Sequence, residues 1–455
     1  MVPSSDRPHP HAWIALDPIP FVRGLGQLIP EGRLAAILAQ TARASERHRR
    51  LPAESVIWLV IAMALFAADS IPKVWRRLHP GRDEPEPDDS AFTQARKRLG
   101  VAPLRQLFLQ LARPMATHPT RGAFYGGWRL MGIDGTTLDL PDTPANARAF
   151  GRPKGPRADA AFPQVRLLAL CELGTHAVCG LAIKPICHGE TSMLGQLLDD
   201  LGPGMLLIWD RGFFGFELID SVCSRGAHLL ARAKSNAILR PICHLADGSY
   251  LARVYPTQAD RRRDTRGREV RVIEYTHDDP NRPGVGQRHR LITDLLNPAD
   301  LPALEAPLAY HERWEEELAF DEIKTHLSGR AVPIRSKTPS GVVQEIYGLM
   351  LAHYVVRRVM HDAAAVAMHD PDRLSFIDSL RVLRCRLPES PGLEIEPWYR
   401  SLLKEVRRQE LRPRQDRWYA RVIKRKMSNW KKKRPEHLRP PQPTKTFRDA
   451  VVLLI

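Results

Sequence analysis

Residues 204–210 read Gly-Met-Leu-Leu-Ile-Trp-Asp, five apolar side chains in unbroken succession and then a carboxylate. A run this short with no polar face reads as a central strand covered on both sides. FELIDSVCSRG (216–226) follows with helical spacing closed by a glycine, and HLLARAK (228–234) returns to a strand. Upstream, WRLMGIDGTTLDL (128–140) reads as one strand or two, with VRLLALCEL (165–173) and AVCGLAIKPI (177–186) as further strands. Antiparallel-looking strands followed by a strand–helix–strand unit predict a mixed α/β domain.

Outside this centre the texture changes. The first 120 residues read as helical, with residues 56–68 the strongest segment and a short helix at 74–78. The acidic, proline-rich GRDEPEPDD (81–89) precedes Ser90, which is expected to cap a helix ending at Gly100. In that helix Phe92, Ala95 and Leu99 share a face, leaving Arg96, Lys97 and Arg98 outward. Three short helices ending in a basic one read either as a helix-turn-helix arrangement or as an ordinary solvated face. Between 236 and 304, REVRVIEYTHDD and QRHRLITDLL alternate with period two among Pro, Gly and Asn clusters, as in a β-rich insertion. Helical periodicity resumes near 305 and continues through IYGLMLAHYVVRRVM (346–360) and FIDSLRVLRC (376–385).

The net charge of +17 calls for a polyanionic partner, of which nucleic acid is the usual one. Residues 400–445 hold 17 Lys and Arg against 4 Asp and Glu, with Trp418, Tyr419 and Trp430 interleaved. Stacking surface beside phosphate-binding charge favours DNA contact over a merely solvated tail. Six cysteines without a CxxC pair predict unpaired thiols in a reducing compartment and no zinc site. The opening residues are polar and proline-containing, unlike a signal peptide, and the longest apolar run, 56–68, is too short to cross a bilayer. A cytoplasmic protein without membrane contact is expected.

The chemistry starts with Tyr310, Arg313, Glu317 and Lys324, whose steps of 3, 4 and 7 residues place them on one helix face. The carboxylate suits a metal ion, and the phenol and cations suit phosphate. The same spacing also occurs on ordinary helices as an Arg313–Glu317 ion pair. Asp134 interrupts one apolar stretch and Asp210 ends another. A buried carboxylate is costly unless it is paired, hydrogen-bonded or bound to metal. Asp210 could instead cap the segment after it. Together the three acids make an oxygen cage suited to Mg²⁺. Asp139 and Glu190 rank lower because neither ends an apolar strand, and Glu315 and Glu316 are expected to point around the helix.

GIDGTTLDLPD (132–142), IWDRGFFGFELID (208–220) and YHERWEEELAFDEIKTH (310–326) resemble the three catalytic blocks of the DDE transposases of bacterial insertion sequences. The third block is similar to that of the insertion sequence four family: Y, two residues, R, three, E, six, K. DTPANARAFGRP (142–153) and RVIKRKMSN (421–429) also resemble that family.

The resemblance implies an α/β fold with a ribonuclease-H-like catalytic domain. That core, at 123–235 and 305–388, would be interrupted by the β-rich insertion at 236–304. A helical DNA-binding domain (1–122) and a basic helical C-terminal region (389–455) would flank it. It implies Asp134, Asp210 and Glu317 as catalytic metal ligands for two Mg²⁺ ions, with Mn²⁺ able to substitute. Tyr310, Arg313 and Lys324 would contact transposon-end DNA, and Arg232 and Lys234 would approach the same DNA. The implied function is DNA cleavage and strand transfer in cut-and-paste transposition. The implied partners are double-stranded DNA, as terminal inverted repeats and target, and a second copy of the chain on that DNA, at the nucleoid. An inactive DNA-binding relative and a non-transposing metal-dependent nuclease are the alternatives.

Overall fold

The computed structural model describes residues 29, 32–45, 50–79, 86–155, 159–282, 285–329, 334–388, 394–411 and 442–454. Its strands are β1 (Phe124–Tyr125), β2 (Trp128–Asp139), β3 (Gln164–Glu172), β4 (Ala177–Pro185), β5 (Met205–Trp209), β6 (His228–Arg232), β7 (Cys243–His244), β8 (Tyr250–Val254), β9 (Arg268–His277), β10 (His289–Thr293) and β11 (Val451–Leu453). The N-terminal helices are α1 (Arg33–Gln40), α2 (Ala53–Leu65), α3 (Ile71–Leu78), α4 (Asp89–Leu99) and α5 (Ala102–Leu111). Within the sheet region lie α6 (Pro144–Phe150), α7 (Phe216–Ser224), α8 (Gln258–Arg263), α9 (Glu305–His311) and α10 (Trp314–Asp321). α11 (Pro339–Ala365), α12 (Phe376–Arg386), α13 (Ile395–Arg407) and α14 (Phe447–Ala450) complete the set.

The strands join in one mixed sheet ordered β4-β3-β2-β5-β6-β10-β9-β8-β7, with β1 on β2 and β11 on β9. β2, β3 and β4 form an antiparallel meander, and β5 runs parallel to both β2 and β6. WRLMGIDGTTLD is thus a single strand. β5 sits in the middle as its apolar run requires: Leu207 and Trp209 enter the core on one face, Leu206 and Ile208 the core on the other. The strands read within 236–304 are present, and they prolong this same sheet through the β6–β10 pairing.

On the same face as Leu206 and Ile208, further along the sheet, one large apolar cluster unites the N-terminal helices, β3, β4 and α11–α13. α2 packs so closely on α11 that a Cβ on Gly348 would stand 2.7 Å from the Val60 carbonyl oxygen. In α4 the cap and one basic residue differ from expectation. Asp88, not Ser90, caps α4, accepting from the Ala91 amide at 2.6 Å. Arg96 is buried rather than outward: it donates to Gln344 at 3.2 Å, Ser336 at 2.9 Å and the Gly341 carbonyl at 3.0 Å. Position 96 lies one turn from Phe92, so the buried face is wider than the apolar residues alone marked.

Residues 412–441, including RVIKRKMSN, Trp418, Tyr419 and Trp430, lie outside the described residues. The chain is anchored on both sides of them. Leu411 donates to the Arg373 carbonyl at 2.7 Å, and the Thr444 and Lys445 amides donate to Asp279 at 2.8 and 3.1 Å. Among the described residues no helix is long and apolar enough to cross a membrane. The buried or exposed cysteines among them are all unpaired.

Candidate active site

Parallel pairing of β2 with β5 sets Gly132 opposite Ile208, so Asp134, still within β2, and Asp210, just past the end of β5, come side by side two residues further on. Each accepts from a glycine amide that follows it. Asp134 Oδ1 accepts from the Gly135 amide at 2.8 Å and Asp210 Oδ1 from the Gly212 amide at 2.7 Å. Asp210 therefore does cap the turn that follows it, and it also faces Asp134. Burial raises the Asp134 carboxyl to about 6, with Asp210 and Glu190 adding to the rise and Gly135 and Arg313 opposing it.

The segment from 305 to 327 is not the uniform helix the spacing predicts. A tight turn joins α9 to α10, with Arg313 N bonded to the Tyr310 carbonyl at 3.2 Å and Glu316 N to that of Arg313 at 3.2 Å. A wide π-helical turn then spans Glu322–Leu327. Tightening before and widening after change the angular steps, which a single 3.6-residue period cannot describe. The side chains converge nonetheless. Arg313 Nη2 lies 3.1 Å from Glu317 Oε1, and Lys324 Nζ donates to Thr136 Oγ1 at 3.0 Å, two residues past Asp134 on β2. Burial raises the Tyr310 phenol, and Arg313, Arg232 and Asp210 all act on it. Arg232 reaches His289 Nδ1 at 2.7 Å. Lys234 is exposed and its carbonyl is held by Arg290 at 2.8 Å, with no contact among the described residues tying its ammonium to this group.

Two carboxylates that ranked low lie close by. Glu190 accepts from Arg166 at 2.8 Å and packs on Gly135, where a Cβ would stand 2.3 Å from its Cδ. Glu316 does not point away: it is 1% exposed and lies against Gly132 of β2. Burial, then Asp134, push its carboxyl well above the usual range. The signal for it was in the sequence, since Glu316 shares its face of α10 with the buried Ala319 and Phe320.

Glu315 does turn to the other side of α10, 2.6 Å from His176 Nε2. Asp372 is 3.3 Å from the same nitrogen, while Glu322, Arg357 and His353 complete a buried charged cluster. Burial and Arg357 work against the His176 cation, but Asp372, Glu322 and Glu315 outweigh them and raise it to about 10. Burial and Glu315 raise Asp372 to about 8 against the pull of His176 and Arg357.

An all-oxygen donor set, a carboxylate whose charge burial disfavours and an orphaned carboxyl beside it suit a hard divalent cation, which would offset that cost. Asp134 within β2 and Asp210 just past β5, beside a helical segment that brings Arg313, Glu317 and Lys324, are the residues of a metal-dependent enzyme of phosphoryl transfer. Residues 129–355 match the family model of the transposase DDE domain, and residues 21–109 that of the insertion element 4 transposase N-terminal region. The chain belongs to the DDE transposases of the insertion element 4 family. It is 29% identical over 413 residues to the transposase InsG for insertion sequence element IS4 of Escherichia coli (strain K12), covering 88% of this chain and 91% of that one. It is 28% identical over 218 residues to the putative transposase InsZ of the same organism, covering 47% of this chain and 71% of that one. A solved piggyBac transposase synaptic complex with hairpin DNA aligns over 86% of each chain at 12% identity and a TM-score of 0.43. The protein is thus a metal-dependent transposase that cleaves and transfers DNA strands, on a mixed α/β fold for which the DDE domain implies a ribonuclease-H-like core.

Proposed function

We propose that Asp134, Asp210 and Glu317 hold two divalent cations, Mg²⁺ with Mn²⁺ as a substitute, for cut-and-paste transposition of an insertion sequence. One observation carries this reading. Asp134 and Asp210 stand at matching positions on parallel neighbouring strands, with Arg313 acting on Asp134 and paired to Glu317. When bound, the ions supply Lewis acidity that activates a water or a 3′ hydroxyl and steadies the leaving oxygen. The protein's own part is placement: Arg313, Lys324 and Arg232 grip the phosphates flanking the scissile bond, and Tyr310 adds a hydrogen bond. Tyr310 is no nucleophile, because hydrolysis and transesterification at one carboxylate set need no covalent intermediate.

Trp314 is 45% exposed, with the Arg313 guanidinium 5.2 Å from its ring centroid, and offers a stacking surface for an unstacked base. Lys234 stays a DNA contact in this reading, as an exposed charge on the same side of β6. The helical segment 1–122 and the basic region 389–455 serve DNA binding, the insertion at 236–304 supports the core formed by 123–235 and 305–388, and two copies pair the transposon ends. The test is incubation of the full chain and Mg²⁺ with labelled end DNA and a target duplex. Metal-dependent nicking followed by end-to-target joining supports the reading. Nicking without joining would make the protein a nuclease, and binding without nicking an inactive relative.

A further inference from the structure

We propose that Glu316 is a fourth carboxylate of the metal centre, supplied from the buried interface between α10 and β2. This rests on the assignment of Asp134, Asp210 and Glu317 above. Glu316 is 1% exposed, and neither carboxylate oxygen has a hydrogen-bond partner among the described residues. The Asp134 backbone amide faces it without closing a bond of ordinary geometry. Buried acids in folded proteins are hydrogen-bonded, ion-paired or bound to metal, so an orphaned one marks an interaction still to be made.

The direction of the side chain says where. A Cβ on Gly132 would stand 2.7 Å from Glu316 Oε2 and 3.3 Å from its Cδ. Gly132 and Asp134 are two residues apart on one strand and share a face. Glycine at 132 therefore makes room both for this carboxyl and for Leu173, whose Cδ2 would stand 2.6 Å from a Cβ there, on the strand face that Asp134 shares. Glu316 and Glu317 then flank Asp134 from a single helix, one on the floor and one at the rim, where the Glu317 side chain is 35% exposed. Arg313, the cation that opposes the buried charge, donates through Nη2 to Glu317.

Charge gives the arrangement a purpose. Two divalent cations against three carboxylates leave one positive charge uncompensated until a DNA phosphate arrives. A fourth carboxylate matches the charge of the two ions, which favours holding them before DNA binds.

The experiment is a Mn²⁺ titration of the DNA-free full chain, followed by the electron paramagnetic resonance of the unbound ion. It compares the parent with Glu316→Gln, Glu316→Met, Asp134→Asn and Glu317→Gln. The metal-free melting temperature of each variant checks folding, and Glu316→Met serves if the amide is poorly tolerated. Glu316→Gln and Glu316→Met are expected to weaken Mn²⁺ binding about tenfold or more without lowering the metal-free melting temperature. A Glu316→Gln titration that superimposes on the parent's, while Asp134→Asn has lost binding, overturns the fourth ligand alone. Parent-like binding by Asp134→Asn overturns the three-carboxylate assignment itself, and this inference with it.

Discussion

Arg313 Nη2 and Glu317 Oε1 lie 3.1 Å apart across one turn of α10, the guanidinium buried and the carboxylate at the rim. The pair couples the charge that would grip a phosphate to the one that would hold a metal. Replacing Arg313 by Lys keeps the charge and loses the planar fork. Single-turnover cleavage should slow about 10- to 100-fold, with a smaller loss of Mn²⁺ affinity than in Glu317→Gln. An Arg313→Lys enzyme cleaving at the parental rate would show that the pair is an ordinary helix ion pair.

Asp134→Asn, Asp210→Asn and Glu317→Gln should each lower cleavage by about three orders of magnitude or more, because residues acting as one unit fail together. Affinity for end DNA should hold, since the phosphate-gripping cations are untouched. A gel-shift and a cleavage assay on the same preparations separate the two effects. Near-normal cleavage by any of the three removes that residue from the ligand set.

The sheet centre was legible because buried strands write themselves as apolar runs, and the carboxylates ending or interrupting β2 and β5 were legible for the same reason. Glu316 was not read, because its identity as an acid outweighed its place beside Ala319 and Phe320 on the buried face. Arg96 was misread likewise, its charge hiding a position one turn from Phe92. The His176 cluster joins positions far apart in the chain, including Glu322, Arg357 and Asp372, and such pairing has no local signature. Nor does the breaking of the 305–327 helix into tight and wide turns, which depends on how it seats against β2.

Gly132→Ala and Gly135→Ala test the close approach of the flanking acids. Added Cβ atoms would stand 2.7 Å from Glu316 Oε2 and 2.3 Å from Glu190 Cδ. Each should destabilise the fold by about 1–3 kcal/mol and impair metal binding. Chemical denaturation of the metal-free protein measures the first effect, and unchanged midpoints would mean these carboxyls lie elsewhere.

Stability should fall as pH rises from 7 to 10. His176 (ordinary value 6.5, raised to about 10) and Asp372 (ordinary value 3.8, raised to about 8) both bind protons more tightly when folded. Their contribution is complete below the unfolded values and is lost as pH climbs through the folded ones. Asp372→Asn should remove the part of the decline that ends near pH 8, leaving the His176 part that runs on to about pH 10. Melting temperatures across this range decide it, and parallel curves for both proteins would contradict the assignment.

Because β11 and Thr444–Lys445 dock on the sheet after the basic segment, truncation would disturb the fold as well as the charge. Changing Lys431, Lys432, Lys433 and Arg434 to Gln is the cleaner test. If these side chains meet phosphate, the slope of log affinity against log salt should shrink by about three to four. An unchanged slope would make the stretch a solvated one.

The most direct measurement is anomalous diffraction from crystals of the full chain soaked in Mn²⁺. Density is expected about 2.2 Å from carboxylate oxygens of Asp134 and Asp210, with Glu317 completing the shell. Density confined to His176, Glu315 and Asp372, whose ligand atoms lie within 4.8 Å of one another, would contradict it.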